Sequence, residues 1–150
     1  MKITKSWLWP IVIVILGIAA YFFFTHKQKE DDLKFLRNNW SSYIHTNNTN
    51  YMYSKLGGID EFDVPVTNET DYLLDEVVVH VSYIKAAGGV YKEENVTISN
   101  IAPHSVKVGR APSSSRGTSV EIKTTEIISR TMHFCYPSGS GGYSDPYFCK

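Results

Sequence analysis

The chain opens on one long apolar run and then changes to short alternating segments. Residues 6–24, SWLWPIVIVILGIAAYFFF, carry no charge. As a helix, the 18 residues 7–24 rise about 27 Å, close to the hydrocarbon thickness of roughly 30 Å. Trp7 and Trp9 stand at one end, with Tyr21 and three phenylalanines at the other, the placement membrane interfaces favour for amphipathic rings. Pro10 falls in the first turns, where a missing N–H costs least. The run therefore predicts a transmembrane helix that meets the lipid bilayer through residues 7–24. A cleaved signal peptide is the competing expectation, with Lys2 and Lys5 as its charged region and 17–20, GIAA, as the cleavage site. Cleavage there would leave a mature chain starting on YFFF, four aromatics with no reason to face water.

Beyond the run, Leu33, Leu36, Trp40, Tyr43 and Ile44 recur at helical spacing after Asp31 and Asp32, which predicts a short amphipathic helix. After Asn50 the period changes to two. Strands are predicted over 51–56, 62–67, 76–85, 90–99, 106–108, 120–124 and 127–136, separated by Gly, Asn, Ser and Pro turns. In the strongest of them Val77, Val79, Val81 and Tyr83 face one way, and Val78, His80, Ser82 and Ile84 the other. Pro65 interrupts the second ladder and predicts an edge position or a bulge. Seven short strands at this spacing predict an all-β antiparallel sandwich. The expected organisation is an anchor over 1–25, a juxtamembrane linker with the short helix over 26–50, the sandwich over 51–136, and a Gly/Ser/aromatic tail over 137–150.

Charge narrows the partners. The whole chain is formally neutral, but from residue 31 onward 11 Lys and Arg stand against 14 Asp and Glu, a net of about −3. Such a domain, with no basic stripe, does not suit nucleic acid. Lys2 and Lys5 precede the apolar run, and Lys27 and Lys29 follow it, so the positive-inside rule alone gives no orientation. Short Lys-bearing N-termini normally stay in the cytoplasm. The expected topology is single-pass in the cell membrane, with the N-terminus cytoplasmic and the C-terminal domain extracytoplasmic (periplasmic). There the two cysteines, Cys135 and Cys149, are expected to pair across a loop rich in Gly, Ser and Pro. Two free thiols are the alternative.

No constellation for catalysis is visible. His26, His45, His80, His104 and His133 are scattered, none at metal-ligand spacing, and there is no CxxC. The carboxylate pairs Asp60/Glu61, Asp75/Glu76 and Glu93/Glu94 are sequence neighbours, which strands point to opposite faces. No GxSxG surrounds any serine, and the tail glycines lack the lysine of a phosphate loop. The expectation is a protein without catalytic residues, cofactor or metal. Four N-x-S/T sequons, at Asn39, Asn47, Asn68 and Asn95, arise too readily by chance to decide anything. Two features suit recognition: Arg110 and Arg116, flanking and within a Ser/Gly loop between strands, and Tyr143, Tyr147 and Phe148 in the tail. Each has a plainer alternative, a simple turn for the first and aromatics folded back over the sandwich for the second.

Val66-x-Asn68-x-Thr70, then Val77-x-Val79-x-Val81-x-Tyr83, Gly88 and Ile101-x-Pro103 together resemble the FxLYD-type domains. The resemblance covers about residues 59–128. It implies an immunoglobulin-like sandwich of a kind found in bacterial envelope proteins, often behind a single membrane helix. Where those domains carry Phe, Leu, Tyr and Asp, this chain has Val81, Tyr83, Ile84 and Lys85. The inward slots stay apolar, so the fold is implied and a shared ligand is not. The stretch 111–120 also resembles small bacterial membrane proteins that end in a Cys-Tyr tail. The function expected is a membrane-anchored extracytoplasmic interaction or accessory module with an envelope protein partner. The alternative is a secreted carbohydrate- or ligand-binding sandwich released by cleavage.

Overall fold

The computed structural model describes residues 8–46, 50–55 and 57–150. Lys2, Lys5, Trp7, the 47–49 part of the polar run with its Asn47 sequon, and Leu56 lie outside the described residues. The chain divides into two compact units, one ending at Phe35 and the other spanning Leu36–Lys150.

The first unit is helical. Helix α1 runs Leu8–Asn38, and it is long and apolar enough to cross a membrane. The separate short amphipathic helix expected after residue 31 is instead the continuation of α1. Residues 26–32, HKQKEDD, contain no Gly or Pro, and Lys, Gln and Glu propagate an existing helix more cheaply than Asp31 or Asp32 can start a new one. Its last residues, Leu36–Asn38, belong to the second unit, where a 3-10 turn, Trp40–Ser42, follows.

The second unit is a β-sandwich, with seven strands in two antiparallel sheets among the described residues. The strands are β1 (Ile44–Thr46), β2 (Phe62–Asn68), β3 (Leu74–Ile84), β4 (Val90–Ile101), β5 (Ser105–Ala111), β6 (Ser119–Ser129) and β7 (Phe134–Tyr136). One sheet is ordered β1-β2-β5 and the other β4-β3-β6-β7. Their inner faces supply the core. Phe62, Val64 and Val66 come from β2, Val77, Val79, Val81 and Tyr83 from β3, Val96 and Ile98 from β4, and Ile127 and Phe134 from β6 and β7, all buried.

Several expected strands differ in extent. Among its described residues, 51–55, the predicted strand over 51–56 makes only an isolated bridge, Tyr53 to Ile59, and β1 supplies a strand upstream of residue 51. The predicted strand over 127–136 is split. Residues up to Ser129 extend β6, a turn follows, and β7 is only three residues long. His133 takes φ 50° in that turn, so it sits off the strand. Pro65 lies in a middle strand rather than an edge. There it stands opposite Val108 of β5, while the described residues of β1 pair with Val66–Asn68.

The alternation along β3 decides a simple stability test. Val79 and Val81 are fully buried, whereas Val78 is half-buried on the outer face. Truncating Val79 or Val81 to Ala is expected to cost about 1–3 kcal/mol through lost burial and a cavity. Val78→Ala should cost less, as read by denaturant unfolding.

Candidate functional site

The sandwich has two differently built ends. At one end, here the loop end, lie residues 50–55 and 57–61, the β3–β4 turn 85–89 and the β5–β6 loop 112–118. At the other, the tail end, lie the turns 69–73, 102–104 and 130–133, the 3-10 turn and the tail 137–150.

At the loop end Tyr53 bridges Ile59, and Ile59 bridges Ser114 of the β5–β6 loop. Ile59 and Ser114 exchange backbone hydrogen bonds of 2.7 and 2.8 Å. Gly58, at φ 88°, lets the two chains meet, because a Cβ there would fall 2.0 Å from the Ser114 carbonyl oxygen. The loop is tied down along its length. Tyr83 Oη donates to the Pro112 carbonyl, Gly117 N–H to Ser114 Oγ at 3.2 Å, Thr118 N–H to the Ile84 carbonyl at 2.7 Å, and Tyr53 Oη to the Thr118 carbonyl at 2.9 Å. Burial pushes the Tyr83 phenol up to about 12, with the Glu94 carboxylate adding to the effect, so it stays a neutral donor. Tyr91 Oη reaches Ser115 Oγ at 3.3 Å, and the Lys92 ammonium stands 5.8 Å from the Tyr83 ring centre. Arg116, exposed at the tip, makes no hydrogen bond or ion pair among the described residues, and neither does the Lys85 side chain. Met52 and Tyr53 are strongly exposed at the same end.

Arg110 does not join this group. It points outward from β5 and lies 3.6 Å from Glu61 and 3.9 Å from Asp63, which neutralise it locally. Of the two arginines expected to mark the loop, only Arg116 is available. Tyr53, Tyr91 and Lys85 were not singled out by the sequence, although the alternation of Tyr51 and Tyr53 was a visible signal for exposed rings.

At the tail end the aromatics fold back. Tyr147 packs on Phe134 and Tyr136, with ring centres 6.0 and 5.7 Å apart, and Trp40 lies 4.5 Å from Tyr136. Phe148 stacks on His133 at 5.7 Å. Tyr143 alone of the three tail aromatics is fully exposed. The tail pairs with β7: Cys135 N–H donates to the Tyr147 carbonyl and Cys149 N–H to the His133 carbonyl, both at 2.9 Å. Cys135 and Cys149 stand at disulfide distance, S–S 2.10 Å. Arg37, buried at 6% exposure, fixes the same segment. Its Nε and Nη2 donate to Asp145 at 3.1 and 2.5 Å, its Nη1 to the Met132 carbonyl at 2.7 Å, and its guanidinium lies 5.2 Å from the Phe148 ring centre. The loop arginine and the tail aromatics thus occupy opposite ends and do not form one site.

Asn68 organises the tail end from within. Fully buried, it donates through Nδ2 to the carbonyls of Tyr72 (2.8 Å), Ala102 (3.0 Å) and Ile101 (3.3 Å). Its Oδ1 accepts from Thr70 N–H and Oγ1 at 3.0 and 2.7 Å. The amide of this sequon is committed to the fold.

His80 sits on the outer face of the four-stranded sheet. Its Nδ1 meets Asn95 Oδ1 at 2.8 Å and its Nε2 lies 3.4 Å from Glu93. The Asn95 hydrogen bond holds its pKa above 6.5, helped by Glu93 and opposed by burial and by Lys123. The folded state therefore binds this proton more tightly than the unfolded chain. That contribution to stability is complete below about pH 6.5 and fades as pH rises through the folded value. An NMR titration should find the His80 pKa above 6.5, and Asn95→Ala should lower it. Among the described residues no three His, Cys, Asp or Glu side chains converge on a metal-sized site. No family profile, characterised protein or solved structure matches the chain, so its functional reading rests on this geometry.

Proposed function

We propose that this protein is a membrane-anchored, non-catalytic interaction module whose loop end docks an envelope protein carrying acidic groups. The observation that carries the reading is the β5–β6 loop. It is held at five residues by hydrogen bonds, Tyr91 and Tyr53 among the partners, yet leaves Arg116 exposed and without a hydrogen bond or ion pair among the described residues. A rigid loop that displays a free cation among aromatics has little ordering entropy left to lose on binding, and sandwich end loops are where scaffolds of this kind carry recognition. The apolar helix supports anchoring. The Lys-bearing N-terminus and the cysteine pair support an N-terminus in the cytoplasm and a sandwich outside it. The resemblance to FxLYD-type domains supports the same setting.

Crosslinking in intact membranes followed by recovery of the protein from detergent extract tests the reading. The wild-type chain is expected to bring down a partner that Arg116→Glu loses, since reversing the charge at the loop tip turns attraction into repulsion. Recovery of the protein alone under several conditions counts against any partner. The second reading, a secreted ligand-binding sandwich, is favoured by the exposure of Tyr53 and Tyr143. Mass measurement of the mature protein separates the two, because loss of residues 1–19 or 1–20 removes the anchor.

A further inference from the structure

The Cys135–Cys149 pair lines an open cleft of about 370 Å³ together with Ile128, Arg130, His133 and Lys150. Both cysteines are half-buried, and Arg130 and Lys150 are exposed. Asp75 accepts from Arg130 N–H at 2.7 Å and lies 3.7 Å from its guanidinium. Asp145 is occupied by Arg37. A half-buried disulfide in an open cleft that Arg130 and Lys150 also line favours thiolate chemistry. Positive charge draws in an anionic thiol and stabilises the thiolate that leaves.

We propose that Cys135–Cys149 is a thiol–disulfide exchange site for a small anionic thiol of the glutathione class, and that its reduction unlatches the tail from β7. An incoming thiolate attacks one sulfur, forming a mixed disulfide and expelling the other cysteine as a thiolate. A second thiolate attacks the mixed disulfide, releases the oxidised small-molecule disulfide and leaves two reduced cysteines, which take their protons from water. Two electrons pass from the two thiols to the protein. What then holds the tail strand is its backbone pairing along three-residue β7, the Arg37–Asp145 contact and the packing of Tyr147 and Phe148 on Phe134, Tyr136 and His133. Opening would free the edge of β7 with Phe134 and Tyr136, the kind of unpaired strand edge that accepts another strand.

The test uses the full chain in detergent micelles, exposed to glutathione or to a neutral monothiol of similar basicity. Free and mixed-disulfide cysteines are counted by mass spectrometry, and amide exchange is followed in parallel. The expected result is exchange in the folded protein, with protection lost at the Cys135 and Cys149 amides while β3 stays protected. Arg130→Gln/Lys150→Gln, two surface changes, should slow glutathione roughly tenfold at low salt and leave the neutral thiol nearly unaffected. Equal effects on both thiols overturn the electrostatic site. Thiols that appear only once β3 exchanges overturn native-state exchange. Unchanged protection at Cys135 and Cys149 after reduction overturns the latch.

Discussion

Arg37→Ala is expected to be among the most damaging single substitutions in the sandwich, destabilising it by about 3–5 kcal/mol. The guanidinium is buried and answers three groups at once: the Asp145 carboxylate, the Met132 carbonyl and the Phe148 ring. Removing it leaves a carboxylate with only 15% of its side chain exposed and no counter-charge, and a carbonyl without its donor. The penalty is the cost of those stranded groups more than the worth of the pair itself. Asp145→Ala should also destabilise. Because the two side chains share one contact, the double variant should cost clearly less than the sum of the singles. Denaturant unfolding of the four proteins measures this directly, and additive losses would show that the pair is not coupled.

Asn68→Leu carries the second large effect, roughly 2–4 kcal/mol of stability lost with little change in volume. The carbonyls of Tyr72 and Ala102 and the Thr70 N–H lose the partner that now satisfies them. Each unsatisfied buried group costs about 1–3 kcal/mol, less where the turn relaxes toward water. Asn68→Asp keeps the acceptor for Thr70 and loses the donors, so it should also destabilise. Amide exchange should rise first at residues 69–73 and 101–104, the two turns this side chain ties together. A loss as small as that of an exposed substitution would show that the turns hold without it.

The central strand was readable because its period of two is uninterrupted from Val77 to Tyr83, and burial follows it residue by residue. The apolar run from Trp9 onward was equally plain. Other features left weaker traces. Three-residue β1 carries His45 and Thr46, too short and polar to register as a strand, and its pairing with β2 comes from the partner. The break between β6 and β7 falls on Arg130-Thr131-Met132-His133, which contains neither Gly nor Pro. Arg37 looks in sequence like a solvated helix residue. Its role depends on Asp145, 108 residues away, and no local pattern reports such a contact. Asn68 was legible as a turn residue but not as a buried one, since a sequon and an internal capping asparagine read alike. At the recognition surfaces, composition found Arg116. It could not distinguish Arg116 from Arg110, which Glu61 and Asp63 neutralise across the strand pair.

The most direct measurement is site-directed photo-crosslinking in intact membranes. The reactive group is placed in turn at Ser115 on the loop, at Thr97 on the outer face of β4, and at Tyr143 on the tail. All three positions are exposed, so reach does not bias the comparison. The proposed function predicts a discrete adduct with an acidic envelope protein from Ser115, lost when Arg116→Glu is added, and none from Thr97 or Tyr143. Equal adducts from all three positions, or a Ser115 adduct indifferent to the charge at residue 116, would contradict it.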